Sequence, residues 1–126
     1  MSFDIFLHAF GSGQPIPRAL IADAIEPYLA ANEQTISTKD GSAEVFGLAG
    51  STELDGLTFT HVSGLEAWEV IYQVALAANW VILPTGCPVC VVDQAQIQTL
   101  PEDLLESVGA TVVSSGADVL EVIAKA

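Results

Sequence analysis

The sequence predicts one α/β domain of the α+β type, in which helices pack on a mixed sheet. Three observations lead to this prediction. Several short segments alternate apolar and polar residues, as strands do, and others space apolar residues three and four apart, as helices do. Asp40-Gly41 stands between two alternating segments and is a strong hairpin signal. The 126 residues contain no repeat, linker or low-complexity tract, so residues 1–126 form a single predicted domain.

The first strand and the first helix are separated by a turn rich in glycine and proline. Residues 2–9 alternate and predict a strand. Gly11-Ser12-Gly13 lies where phosphate loops occur, but it lacks the third glycine of a dinucleotide fingerprint and the lysine of a P-loop, so we interpret it as a turn. Pro17 suits the first turn of a helix. Pro27 is expected to kink or restart that helix, because its ring clashes with the carbonyl group four residues back.

A central antiparallel meander of three strands is predicted next. Residues 35–39 and 42–48 flank Asp40-Gly41, and residues 57–62 form the third strand after a loop. Alternation along the third strand places His61 on its apolar side.

Helices and short strands alternate in the second half. Ser63 and Glu66 have the spacing of a capping box, which starts a helix that runs to about residue 78 and is apolar on both sides. Residues 80–83 form a short buried strand that ends at Pro84.

The C-terminal part is predicted in the same way. Thr99 and Glu102 form a second capping box, and Gly109 stops the helix that it opens. Residues 111–113 are another strand, and Ser115 caps the last helix. The complete predicted order is β-α-β-β-β-α-β-α-β-α.

The core is predicted from one long stretch without charge. Val70 to Val92 contains no charged residue, although the chain has a net charge of −13. Gln73, Asn79 and Pro84 interrupt the stretch, and a membrane span needs about twenty continuous apolar residues. We therefore expect a buried core rather than a membrane helix.

The charge composition excludes some partners and suggests another. The chain has 16 acidic residues and only 3 basic ones, which are scattered along the sequence. Binding to nucleic acid or to an anionic membrane is therefore not expected. The acidic surplus serves either solubility or attraction to a basic protein partner. For such a partner, the candidate binding residues are Glu44, Glu53 and Asp55.

Cys87 and Cys90 form a Cys-Pro-Val-Cys motif with three interpretations. A redox pair resembles the thioredoxin-like motif, but the two valines that follow disfavour the helix which that motif opens, and Asp93 would raise a thiol pKa. A zinc site needs more ligands, for which His8, His61 and carboxylates are available. The third interpretation is a tight turn after a buried strand, with half-buried thiols. Zinc is the one cofactor that remains open.

His61 is the candidate for a third class of function, a small enzyme with a pocket near this residue. A catalytic histidine needs a nucleophile and an orienting carboxylate, which spacing alone does not supply. A hydrogen-bonded structural histidine beside a helix start is the competing interpretation. Whether the protein is an enzyme therefore stays open, with a non-enzyme favoured.

The opening residues Met1-Ser2-Phe3-Asp4-Ile5-Phe6-Leu7 resemble the first strand of many small bacterial proteins. Some of these are immunity proteins, which neutralise a toxin by binding it. The resemblance covers those seven residues, and the size and acidity of the chain are similar to that class. It implies a binding protein and assigns no site residue.

These observations together predict a small acidic binding protein with a basic protein partner, immunity-like in the narrowest form. The alternatives are a thiol-dependent or zinc-holding domain that uses Cys87 and Cys90, and an enzyme with a pocket near His61. The opening lacks the basic region of a signal peptide, and two closely spaced cysteines fit a reducing compartment, so we expect a cytoplasmic location. The sequence leaves the oligomeric state open.

Overall fold

Nine strands and four α-helices make up the computed structural model, which describes residues 4–10 and 15–125. The strands are β1 (Ile5–His8), β2 (Ile16–Pro17), β3 (Thr35–Ser37), β4 (Ser42–Phe46), β5 (Glu53–Leu54), β6 (Gly56–Ser63), β7 (Val81–Pro84), β8 (Val89–Val91) and β9 (Ala110–Val112). The helices are α1 (Ala22–Ile25), α2 (Leu65–Ala78), α3 (Glu102–Val108) and α4 (Gly116–Lys125). Short 3₁₀ segments occupy Arg18–Ile21, Glu26–Tyr28 and Gln94–Thr99.

Seven of these strands form one mixed sheet in the order β3-β4-β6-β1-β7-β8-β9. Neighbours are antiparallel except β8 and β9, which are parallel. The predicted fold class is confirmed, and so is the meander, which is β3-β4-β6. The hairpin at Asp40-Gly41 is also confirmed, with Ser37 opposite Ser42 across a loop of the residues between them.

One face of the sheet, called the inner face, carries the main core. Helix α2 lies on this face between α1 and α4, and residues on both of its sides are buried, as predicted. Ile71 and Trp80 are almost fully buried, which agrees with the core predicted from the uncharged stretch. Leu76, however, is 46% exposed on the solvent side of α2, so the buried part of the helix is narrower than expected.

The opposite face, called the outer face, is covered over only half of its width. Adjacent residues of β7 point to different clusters, since Ile82 belongs to the inner core and Val81 packs with Leu104 of α3. Helix α3 and the 3₁₀ segment before it therefore cover the outer face over β7, β8 and β9. The described residues of the apolar cluster beneath them include none from β4, β6 or β1.

The uncharged stretch is divided among α2, β7 and β8. Strand β8 was not predicted, because its three residues follow the turn at Pro88 and are too few to show a period. Among the described residues, no helix has both the length and the apolar character needed to cross a membrane.

The segment predicted as the first helix is broken into pieces. A 3₁₀ segment, α1 and a second 3₁₀ segment follow one another, and Pro27 lies at the start of the second, which agrees with the predicted restart. The loop at 50–56 contains the short strand β5, which pairs with β2 in a separate ribbon. The predicted Gly11-Ser12-Gly13 turn lies outside the described residues.

The capping box predicted at Ser63 and Glu66 is wrong. Gly64 is the N-cap of α2, with φ of 87°, and makes no side-chain cap. Instead, the carboxylate of Asp40 accepts hydrogen bonds from the amides of Leu65 and Glu66, at 2.9 and 3.3 Å. The hairpin turn that joins β3 to β4 thus caps a helix 25 residues later in the chain.

We expect Asp40→Ala to lower the free energy of unfolding by about 1 kcal/mol, because both amides lose their acceptor. Urea denaturation followed by circular dichroism measures this loss. Lys39→Ala removes a charged side chain from the same turn without touching α2, and should change stability by less than about 0.5 kcal/mol. Equal effects of the two substitutions would contradict the capping role.

Of the two remaining predicted helix caps, one is wrong and one is confirmed. The box at Thr99 and Glu102 is wrong: α3 follows Pro101, and the Thr99 hydroxyl donates to the carbonyl of Gln96 at 2.7 Å. The Ser115 cap is confirmed, because its Oγ accepts from the amide of Asp118 at 3.2 Å.

Candidate functional site

Four side chains form a row across the outer face of the sheet. Leu83 pairs with Phe6, Phe6 with Thr58, and Thr58 with Phe46, so that the row crosses β7, β1, β6 and β4. Neighbouring strands lie about 4.8 Å apart, which makes the row roughly 14 Å long. We call these four residues the aromatic row.

Strand alternation explains why two phenylalanines face outward. Ile5 and Leu7 are buried in the inner core, so Phe6 between them points to the outer face, and Phe46 does so because Val45 points inward. Phe6 is 43% exposed and Phe46 51% exposed. Full burial of such a side chain stabilises a protein by about 1.5–3 kcal/mol, so two half-exposed ones on the same row are an informative feature.

A groove, called the row groove, follows the part of the row near β1, β4 and β6. Its volume is about 550 Å³, and its lining includes Phe6, Phe46, His8 and Asp55. The His8 ring packs edge-on against Phe10, with centroids 5.1 Å apart, and its Nδ1 lies 3.3 Å from the carbonyl oxygen of Asp55. The row groove thus joins aromatic surface to polar groups at one end.

A second groove, called the α3 groove, lies between the turn that joins β7 to β8 and helix α3. Its volume is about 600 Å³, and its lining includes Cys87, Leu104 and Asp103. Phe6 and Leu83 line both grooves, which makes them parts of one continuous surface.

Negative charge surrounds this surface. Glu44 alternates with Phe46 on the same side of β4, Asp55 lines the row groove and Asp103 lines the α3 groove. No lysine or arginine is among the described residues that line either groove. The surface therefore combines apolar groups with carboxylates.

The basic residues are located elsewhere. Arg18 forms ion pairs with Glu26 and Glu33, which together raise the pKa of its guanidinium against an opposing effect of burial. Lys125 pairs with Glu121 at 2.7 Å on α4, and this contact raises the pKa of the lysine.

The three candidate partner-binding residues are all exposed, and they lie on different elements. Glu44 and Asp55 lie at the aromatic row, on β4 and directly before β6. Glu53 lies in the small ribbon, opposite Pro17. Their role in binding stays a prediction.

Both cysteines are free thiols. A turn follows the buried strand β7, as expected, but both thiols are buried rather than half-buried. Cys90 lies in β8 with no exposed surface, and burial, followed by the neighbouring Cys87, raises the pKa of its thiol to about 12. Cys87 is 8% exposed and lines the α3 groove. Within the described residues, no three His, Cys, Asp or Glu side chains are grouped so that they could hold a metal ion.

We expect iodoacetamide to leave Cys90 unmodified in the folded protein. The reactive species is the thiolate, which forms only as the pH approaches the raised pKa of about 12. The folded-state pKa is raised, so this thiol contributes stability that is present below its ordinary pKa of 9.0 and is lost as the pH rises toward 12. Peptide mapping by mass spectrometry measures the modification. Cys87 should react faster, and rapid native-state modification of Cys90 at about pH 8 would contradict its burial.

The prediction that His61 lies on the apolar side of its strand is wrong, because its side chain is 62% exposed. The pairing of β4 with β6 shifts here, from Glu44 opposite Thr60 to Ser42 opposite Ser63, so β6 carries one extra residue. His61 takes up this bulge with φ of 52°, and Val62 packs against the core in its place. Its Nδ1 lies 2.9 Å from the Glu44 carboxylate, and neither groove described above is lined by His61.

The aromatic row was missed in the sequence, although a signal for it exists. Phe6 occupies the polar phase of an alternating segment, where Asp4 and His8 also fall. Phe46 likewise shares a phase with Glu44. An aromatic residue in the polar phase is the pattern that marks exposed apolar surface.

The comparisons with known proteins give no further guidance. No family model, curated protein or solved structure matches the chain.

Proposed function

We propose that this chain is a protein-binding domain whose docking surface is the aromatic row with its two grooves. The observation that carries the proposal is the pair of half-exposed phenylalanines, Phe6 and Phe46, on the uncovered half of the outer face. Aromatic residues are enriched among those that contribute most to binding energy, and contiguous exposed apolar surface marks interaction sites.

The charge around the surface supports a basic partner. Glu44, Asp55 and Asp103 lie at this surface and are part of the net charge of −13 of the chain. This charge would attract a cationic protein over a distance and speed its association. An immunity-type role, with a toxin as the partner, is the narrowest form of this proposal. Two free thiols fit a reducing compartment, which supports a cytoplasmic location.

A second copy of the chain is a less suitable partner. Two copies would each bring a charge of −13 to the interface, and two of the three basic residues, Arg18 and Lys125, are already paired with carboxylates. Like charges brought together across an interface oppose association.

The proposal is tested by selecting binders from a random peptide display library on the immobilised protein. We expect the selected peptides to be rich in lysine or arginine combined with aromatic or aliphatic residues, and to bind less tightly as salt rises. The double variant Phe6→Ser/Phe46→Ser should weaken their binding at least about tenfold, since it removes the aromatic anchors.

A matched control removes two exposed leucines elsewhere. Leu20→Ser/Leu65→Ser takes away side chains of similar exposure that line neither groove, and binding should stay unchanged. Peptides without basic residues, or equal losses in both double variants, would overturn the proposal. So would sedimentation of the unmodified protein as a dimer that the phenylalanine variant abolishes.

A further inference from the structure

The α3 groove is suited to hold a single apolar group. Its volume of about 600 Å³ lies in the range of ligand pockets, and its walls include Phe10, Leu83, Leu104 and Val108. Asp103, which is exposed on α3, is the one charged residue among the described residues of its lining. The groove therefore offers an apolar interior with a single negative charge.

We propose that the α3 groove is the anchor pocket of the docking surface. It takes an aromatic or long aliphatic side chain of the basic partner, and a lysine or arginine next to that side chain pairs with Asp103. This inference rests on the proposed function and adds the chemistry that the partner must present.

Continuity of the surface identifies the occupant as part of a larger chain. Phe6 and Leu83 line the α3 groove and also belong to the aromatic row, so a side chain in the groove emerges directly onto the row. A polypeptide anchored there can run across Thr58 toward Phe46 and Glu44. A single bound side chain of this kind is typical of the residues that dominate binding energy at interfaces.

The charge of the groove selects among apolar groups. A carboxylate on the occupant would meet Asp103 and the negative field of the whole chain, while an ammonium or guanidinium group would be attracted. The groove thus favours an apolar group that carries or adjoins a positive charge.

Three small probes with the same ring and nearly the same chain separate these contributions. Phenethylamine is a cation, phenethyl alcohol is neutral and hydrocinnamate is an anion. In ¹⁵N-correlated NMR titrations of the full protein, we expect phenethylamine to shift the amides of Leu83, Cys87 and Leu104 saturably. Its dissociation constant should be at least about tenfold lower than that of hydrocinnamate, with the alcohol between them.

Matched variants assign the effect to the groove. Asp103→Asn and Glu106→Gln each remove one exposed carboxylate from α3, but only Asp103 lines the groove. The first should reduce the preference for the amine over the alcohol, and the second should leave it unchanged. Ser107→Trp fills the groove from an exposed position and should abolish binding of all three probes.

Two results would overturn the anchor pocket. One is the absence of saturable shifts at the groove, and the other is binding of hydrocinnamate as tight as that of phenethylamine. The display-selected peptides distinguish this failure from failure of the proposed function. If they lose affinity in the Phe6→Ser/Phe46→Ser variant but not in Ser107→Trp, the docking surface stands and the anchor pocket is wrong.

Discussion

Ile71→Ala is expected to lower the free energy of unfolding by about 2–5 kcal/mol. The side chain has no exposed surface and lies in the centre of α2, against the inner face of the sheet. Its removal loses burial energy and leaves a cavity that the surrounding strands and helices can close only in part. Urea denaturation, monitored by fluorescence of the two tryptophans, measures the loss.

Leu76→Ala is the matched control for this substitution. It removes a side chain of the same volume from the same helix, but from a position that is 46% exposed. We expect a loss of less than about 1 kcal/mol. If Ile71→Ala cost as little as this control, α2 would not be the central helix and the architecture described above would be wrong.

Gly116→Ala is expected to destabilise the protein by about 1–3 kcal/mol, although helix propensity alone predicts the opposite sign. A Cβ atom at Gly116 would lie 2.5 Å from the carbonyl carbon of Trp68 and 2.6 Å from the Cα of Glu69. Both are backbone atoms of α2, so no side chain can move aside. The Gly116 amide also donates to the Glu69 carboxylate at 2.8 Å, which fixes the start of α4 against α2.

The control for this prediction is Ala117→Val, one residue along the same first turn. Ala117 is exposed, so the larger side chain meets solvent and should cost no more than about 0.7 kcal/mol through helix propensity. Thermal and urea unfolding of the two variants give the comparison. A stabilising effect of Gly116→Ala would mean that α4 and α2 are not in close contact.

The composition showed that carboxylates are in excess, but it could not show which of them stabilise the fold. Their excess was expected to serve solubility or a partner, and some instead organise the fold. Asp40 and Glu69 accept hydrogen bonds from the first amides of α2 and α4. Asp118 accepts from the amide and hydroxyl of Ser114, and these bonds lower the pKa of its carboxyl. The hydrogen bonds of Asp40 and Glu69 join residues that are far apart in the sequence, so no spacing rule identifies them.

The alternation of apolar and polar residues also fails to predict which side chains point inward where a strand contains a bulge. Alternation correctly places Ile5 and Leu7 in the core, but it fails at His61, where an extra residue in β6 changes which side chain points inward. The bulge depends on the register between β4 and β6, and a strand does not carry that register in its own sequence.

The sequence by itself determined the fold class, the meander, the contribution of the uncharged stretch from Val70 to Val92 to the core, and the acidic character. These properties depend on local periodicity, turn chemistry and composition, which act over a few neighbouring residues. The tertiary structure decided the helix caps, the position of His61 and the aromatic row. Phe6 and Phe46 stay exposed because α3 covers only the β7–β9 half of the outer face, and coverage of a sheet depends on contacts between residues far apart in the chain.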